Sequence, residues 1–212
     1  MTWQPRLPKE IEAESFRRIE AQVGPHRQAP EVWFVVRRMI HTSADPEYLT
    51  SARIHPRAIA AGVEALRRGA LVGTDTRMLL AGISTGRLGR LGVTDFCLMN
   101  DPEVAAEAAR RGTTRAEVAM ERSLPRLAGG IVAIGNAPTA LLRLLELIKA
   151  GAPPPALVVG VPVGFVNAAE SKDALARQDC PYITALGPKG GSAVAASIIN
   201  AMAIMALEEV PS

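Results

Sequence analysis

From residue 56 onward the chain alternates short, almost wholly apolar runs with longer stretches of helical spacing, and this alternation restricts the possible folds more than any other feature. The apolar runs cover residues 70–73, 96–99, 130–134, 157–161 and 182–186. The helical stretches cover residues 57–68, 102–111, 115–122, 139–150, 168–177 and 192–207. Strands that are apolar at every position are buried on both faces, which requires a parallel sheet with helices packed on each side. The expected architecture is therefore an α/β fold: a three-layer α/β/α sandwich, flavodoxin-like, with a mainly parallel sheet of about five strands. A chain of 212 residues suits a single domain over residues 1–212, its α/β core spanning residues 56–207. In such sheets ligands gather beyond the carboxyl ends of the strands. The loops there read GTDTR, MNDPE, IGNAPT, GVPVGF and LGPKGGS, all rich in turn-forming residues.

Residues 1–50 precede this core and read as two helices. Ile11, Phe16, Ile19 and Val23 recur at helical spacing until Gly24-Pro25 closes the first. Pro30 and Glu31 suit the first turn of the second, where an unpaired amide would be wasted and an acid favours the dipole. That helix is expected to run to about His41, after which TSADPEY breaks the pattern. The uncharged stretch 190–207 reaches the lower length of a membrane span, but its alanines, Ser192, Ser197 and Asn200 read as a buried core helix. No membrane association is expected.

Several function classes lack their signatures. Aromatic residues make up only 4%, too few for base-stacking platforms. Lys and Arg number 24 against 21 Asp and Glu, and they are dispersed rather than clustered, so a nucleic-acid partner is not expected. Neither GxxxxGK[ST] nor a strand followed by GxGxxG occurs. His26, His41 and His55 form no metal-ligand pattern with Cys97 or Cys180, so no metal site is expected. Two cysteines without a CxxC, and no charged-then-apolar leader, indicate a reduced, cytoplasmic setting. Gly82-Ile-Ser-Thr-Gly86 matches a nucleophile elbow, but no strand precedes Ser84 and every histidine comes before it in the chain, so a hydrolase is rejected.

What remains is a small set of polar residues in informative places. Arg38 and His41 lie three residues apart on one helix face, and histidine is the default general acid near neutral pH. A lone histidine at a helix end also serves purely structural ends. Ser15 puts a hydroxyl between Ile11 and Ile19 on an apolar face, which backbone hydrogen bonding alone would explain. Asn136, in the strand-to-helix turn 135–138, and the turn 187–192 with Lys189 both present amides suited to an anion, or simply cap their helices. Arg115 opens a helix, where a cation opposes the dipole unless an anion lies near. Glu170-Ser-Lys172 reads either as an exposed charge cluster or as an orienting group behind the PVGF loop.

Taken in order, RRMIHTSAD, DTRMLLAGI, TTR, GNAPTAL, GVPVGFVNAAESK and GGSAVAASIINA resemble the precorrin-8X methylmutase family, also known as cobalt-precorrin-8 methylmutase, across nearly the whole chain. The resemblance implies an isomerase of cobalamin synthesis that shifts a methyl group from C-11 to C-12 of a corrinoid tetrapyrrole. It implies no cofactor and a homodimer. The histidine of the RMxH string, here His41, would be the proton donor; the first-helix serine, here Ser15, would contact the substrate. Arg38, Arg115 and Asn136 would then meet the substrate's carboxylate arms. Pro188 departs from the usual GRxGGS string, which removes an expected arginine. The competing reading is a corrinoid carrier without turnover, but the D-x-H-x-x-G string of such carriers is absent.

Overall fold

The structure is a computed structural model that describes residues 7–208. Its sheet contains β1 (Ala52–Ile54), β2 (Val72–Thr74), β3 (Asp95–Phe96), β4 (Ile131–Ile134), β5 (Leu157–Gly160) and β6 (Tyr182–Ala185). The strands lie in the order β1-β6-β5-β4-β2-β3, with every pair parallel except β1 against β6. Counting only the parallel strands, this is the flavodoxin-like order, and strand order reverses between β2 and β4.

Alternate residues of the strands feed two separate cores. Ile131, Ala133, Leu157 and Val159 pack with α2 (Pro30–Ser43), α4 (Ala58–Arg67), α5 (Arg77–Gly82), α6 (Thr85–Arg90) and α11 (Ser192–Ala206). Val132, Ile134 and Val158 pack with α8 (Arg115–Ser123), α9 (Pro138–Lys149) and α10 (Ala168–Ala176). Each of these Val and Ile side chains is fully buried, which stabilises the fold by roughly 1.5–3 kcal/mol apiece. Further out, α7 (Pro102–Arg111) packs on α8, and α1 (Pro8–Val23) packs on α2. A single turn, α3 (Tyr48–Ser51), leads into β1.

In α11 every residue except Ala193, Asn200 and Met205 is buried, as expected for a helix surrounded by protein. Among the described residues no helix is long and apolar enough to cross a membrane. Ser84 caps α6 by accepting the Arg87 amide, and its own amide donates to Asn200 Oδ1 at 2.8 Å. The GISTG string therefore joins two helices and is no strand-to-helix elbow.

Among the described residues the sheet has the expected five parallel strands and one further, antiparallel strand, β1. The three residues ARI of β1 are too short to show alternation; they become a strand by pairing Ala52 with Ala185 and Ile54 with Ile183. Of the run at 96–99 only Phe96 is strand, in the two-residue β3 (Asp95–Phe96).

Candidate active site

The antiparallel β1 determines where the N-terminal helices deliver their side chains. Ala52 pairs with Ala185, the last residue of β6, and Leu186 donates its amide to the Ser51 carbonyl at 2.9 Å. The end of α2 is thus carried to the carboxyl edge of the sheet. Ala44 closes α2 in the left-handed conformation, and Ser43 Oγ reaches back to the Met39 carbonyl at 2.8 Å.

On this helix end His41 is exposed, its ring edge-on to Phe16 at a centroid distance of 5.3 Å. Ser15 and His41 come from different helices yet line one cleft of about 170 Å³, together with Arg18, Ile19, Gln22 and Ala44. Phe16, the buried residue of α1, separates this cleft from a larger cavity of about 580 Å³ lined by Lys9, Glu12, Arg38 and Arg87. Arg38 therefore does not open into the His41 cleft, although the two share a helix. Its guanidinium stands over the rings of Phe16 and Phe34 and reaches Glu12 at 3.3 Å, leaving its buried Nε unpartnered. Burial depresses the Arg38 pKa, Glu12 opposes that, and Arg87 and Arg37 add to it. Arg37 stacks on Phe16 at 4.2 Å and pairs with Glu20 at 2.6 Å, its buried Nε likewise unpartnered. The α1–α2 groove thus concentrates cations that carboxylates only partly match.

The strand-end loops turn their polar groups inward. The amides of Gly135, Asn136 and Ala137 read either as an anion site or as turn and cap donors, and the structure favours internal use. All three donate to the carboxylate of Asp75, at 3.0, 2.8 and 2.8 Å. Asp75 follows β2 and is buried, so the chain supplies its own anion across the point where strand order reverses. Burial pushes its pKa up while these amides pull it down. Only the exposed side chain of Asn136 remains for a ligand. Gly135 is obligatory in this turn, because a Cβ there would stand 2.6 Å from the Ser192 Cα.

The loop after β6 is also internally engaged. Lys189 Nζ pairs with Asp45 Oδ2 at 2.6 Å and Glu47 Oε2 at 2.7 Å, which raises the Lys189 pKa and lowers that of Asp45. Lys172, one of the two readings of the ESK string, is fully buried rather than part of an exposed cluster. Its Nζ donates to the Lys189 carbonyl at 2.5 Å, and burial depresses its pKa to about 8. Ala168, Ser171, Lys172 and Leu175 form the inward face of α10, so the helical spacing carried the signal.

Arg115 stands exposed at the start of α8 with no ion pair among the described residues. The opposed helix dipole is met by Glu117, whose carboxylate accepts from the Thr114 amide at 2.9 Å. Thr114 Oγ1 also lies 3.1 Å from Thr139 Oγ1, joining this helix start to that of α9. Among the described residues no cluster of His, Cys, Asp and Glu is arranged to hold a metal ion.

The family model described as precorrin-8X methylmutase matches residues 10–205. The chain belongs to the precorrin-8X methylmutase family. It is similar to a cobalt-precorrin-8 methylmutase of Priestia megaterium, 46% identical over 199 residues that cover 94% of this chain and 88% of the relative. It is also similar to a precorrin-8X methylmutase of Pseudomonas aeruginosa, 42% identical over 91% of this chain and 93% of the relative. A crystal structure of precorrin-8x methyl mutase from Thermus thermophilus superposes with a TM-score of 0.87 at 43% identity, covering 95% of this chain and 97% of that one. The protein is accordingly a methyl-shifting isomerase of the α/β class.

Proposed function

We propose that this chain moves the methyl group from C-11 to C-12 of precorrin-8X or its cobalt-containing counterpart, with His41 as the proton donor and Ser15 as a substrate contact. The observation that carries this reading is the meeting of Ser15 and His41 in one cleft at the carboxyl edge of the sheet. A concerted methyl shift separates little charge, so the protein acts by positioning the ring and by a proton that draws electrons from the conjugated system. His41 is exposed on the cleft and held against Phe16, which suits that transfer.

The substrate is a polycarboxylate, and Arg38, Arg115 and the Asn136 side chain are the groups that would receive its arms. For Arg38, the support is a buried Nε without a partner beside an open cavity. Neither cavity is large enough to enclose a tetrapyrrole, so the macrocycle would lie across their mouths. A second copy would then complete the enclosure. The apolar loop after β5, with Phe165 98% and Val166 77% exposed, is the surface such a homodimer would cover. A cytoplasmic setting agrees with Cys97 and Cys180, which are free and half-buried.

Purified protein mixed with precorrin-8X should shift the visible absorption to the red, because moving the methyl off C-11 extends conjugation. His41→Ala should keep corrinoid binding and lose at least about a hundredfold in turnover, the lower range for general-acid removal. Binding without a spectral shift in the unaltered protein would favour the carrier reading, and full activity of the alanine variant would remove His41 from the mechanism. The same assay with cobalt-free and cobalt-containing substrate assigns the natural one.

A further inference from the structure

The ion pairs at Lys189 join two parts of the molecule that the proposed chemistry needs in register. Asp45 and Glu47 sit just beyond the end of α2, a few residues after His41, and Lys189 sits in the loop between β6 and α11. Both ends of the contact are braced. On the α2 side, Asp45 accepts the Glu47 amide at 3.0 Å and donates its own amide to Ser43 Oγ at 3.2 Å, so the carboxylates are fixed to the helix terminus. On the loop side, the Lys189 carbonyl takes the buried Lys172 ammonium at 2.5 Å. The Pro188 carbonyl accepts the Gly164 amide at 3.1 Å, and the Gly191 amide donates to the Val161 carbonyl at 2.9 Å. A side chain at 190 would overlap that same Val161 carbonyl, so the loop has no slack at this point.

We infer that Lys189 is a positioning residue for His41, clasping the end of α2 to the strand-end loops so that the imidazole stands at a fixed height over the bound ring. This rests on the reading of His41 as proton donor. The cation is used within the protein, held between two carboxylates, and is not a receptor for a substrate arm. Pro188 stiffens the same loop where the family string has an arginine, and Lys189 is the loop's cation, one position along.

The test is steady-state kinetics of Lys189→Met, Lys189→Arg and the double variant Asp45→Asn with Glu47→Gln, assayed with precorrin-8X beside His41→Ala and checked for folding by thermal melting. Lys189→Met and the double variant should lower kcat about fivefold, the scale on which partly exposed ion pairs act, while KM changes less than twofold. Lys189→Arg should recover most of the loss. An unchanged kcat in Lys189→Met, or a loss that arginine does not restore, overturns the clasp. A rise in KM with kcat intact also overturns it, because the cation would then be meeting the substrate. If His41→Ala is inactive and Lys189→Met is normal, only the clasp fails; if His41→Ala is fully active, the proton-donor reading fails with it.

Discussion

The two helical layers that flank the sheet treat their charges in opposite ways. Across α7, α8 and α9, Arg122 bridges Glu103 and Glu107, Arg111 joins Glu107 to Glu121, and Arg143 joins Glu121 to Glu146. Each of these arginines has acids on two sides, and the carboxylates between them are pulled below their ordinary range. In the layer with α2, Arg37 and Arg38 each meet a single glutamate, lie on aromatic faces and keep a buried Nε unpartnered. A saturated ladder has nothing left for an incoming anion, whereas half-matched cations beside a cavity do. On the proposed reading the ladder is scaffold, and the proton donor with Arg38 lies on the opposite layer.

Asp75 is where the two layers meet, so breaking it should have the largest effect. Asp75→Ala strands three amides, two of them in buried residues, at about 1–3 kcal/mol for each buried donor. A loss of about 3 kcal/mol lowers the melting temperature by roughly 6–12 °C in a chain of this size, measured by calorimetry. A melting temperature within a degree of the parent would mean that the layers do not depend on this joint.

The contrast between the layers is tested by removing one arginine from each. Arg38→Met should raise KM for the corrinoid about tenfold, as expected when a charge-assisted hydrogen bond is lost, while Arg122→Met should leave kcat and KM within about twofold. Equal effects on KM would mean that the two layers do not differ in this way.

The smallest effect is confined to one pH window. The Lys172 pKa is near 8 in the folded protein against an ordinary 10.5. Between these values the unfolded chain keeps a proton that the native state has released, so raising the pH favours the folded form. Below about pH 8 both states are charged and the contribution is level. Denaturant titrations from pH 7.5 to 9.5 should therefore show stability from this group rising with pH in the parent, and Lys172→Met should lack that rise.

The parallel sheet was legible because strands buried on both faces leave runs such as IVAI and LVVG that no surface strand would carry. β1 was not, since pairing with β6 makes it a strand and three residues hold no period. Nor was α6, whose TGRLGR carries two glycines and depends on the Ser84 cap and buried Leu88. His41 and Ser15 were proposed as site residues through motif resemblance, and the fold places both on one cleft. Asp75 was visible only as one letter of DTR, because its partners lie sixty positions on and exist only after β2 and β4 have paired. The same gap explains why the amide-rich turn at 135–138 looked open to a ligand.

β1 has a consequence beyond geometry. Its three residues cover the outer hydrogen-bonding edge of β6, the side on which the sheet would otherwise present a bare strand ready to pair with another molecule. The segment that brings the imidazole to the sheet is also the one that shields the sheet from self-association. If His41 is the proton donor, a fragment lacking the N-terminal arm would lose turnover and become prone to cross-strand aggregation together, so selection against insoluble protein also guards the proposed donor.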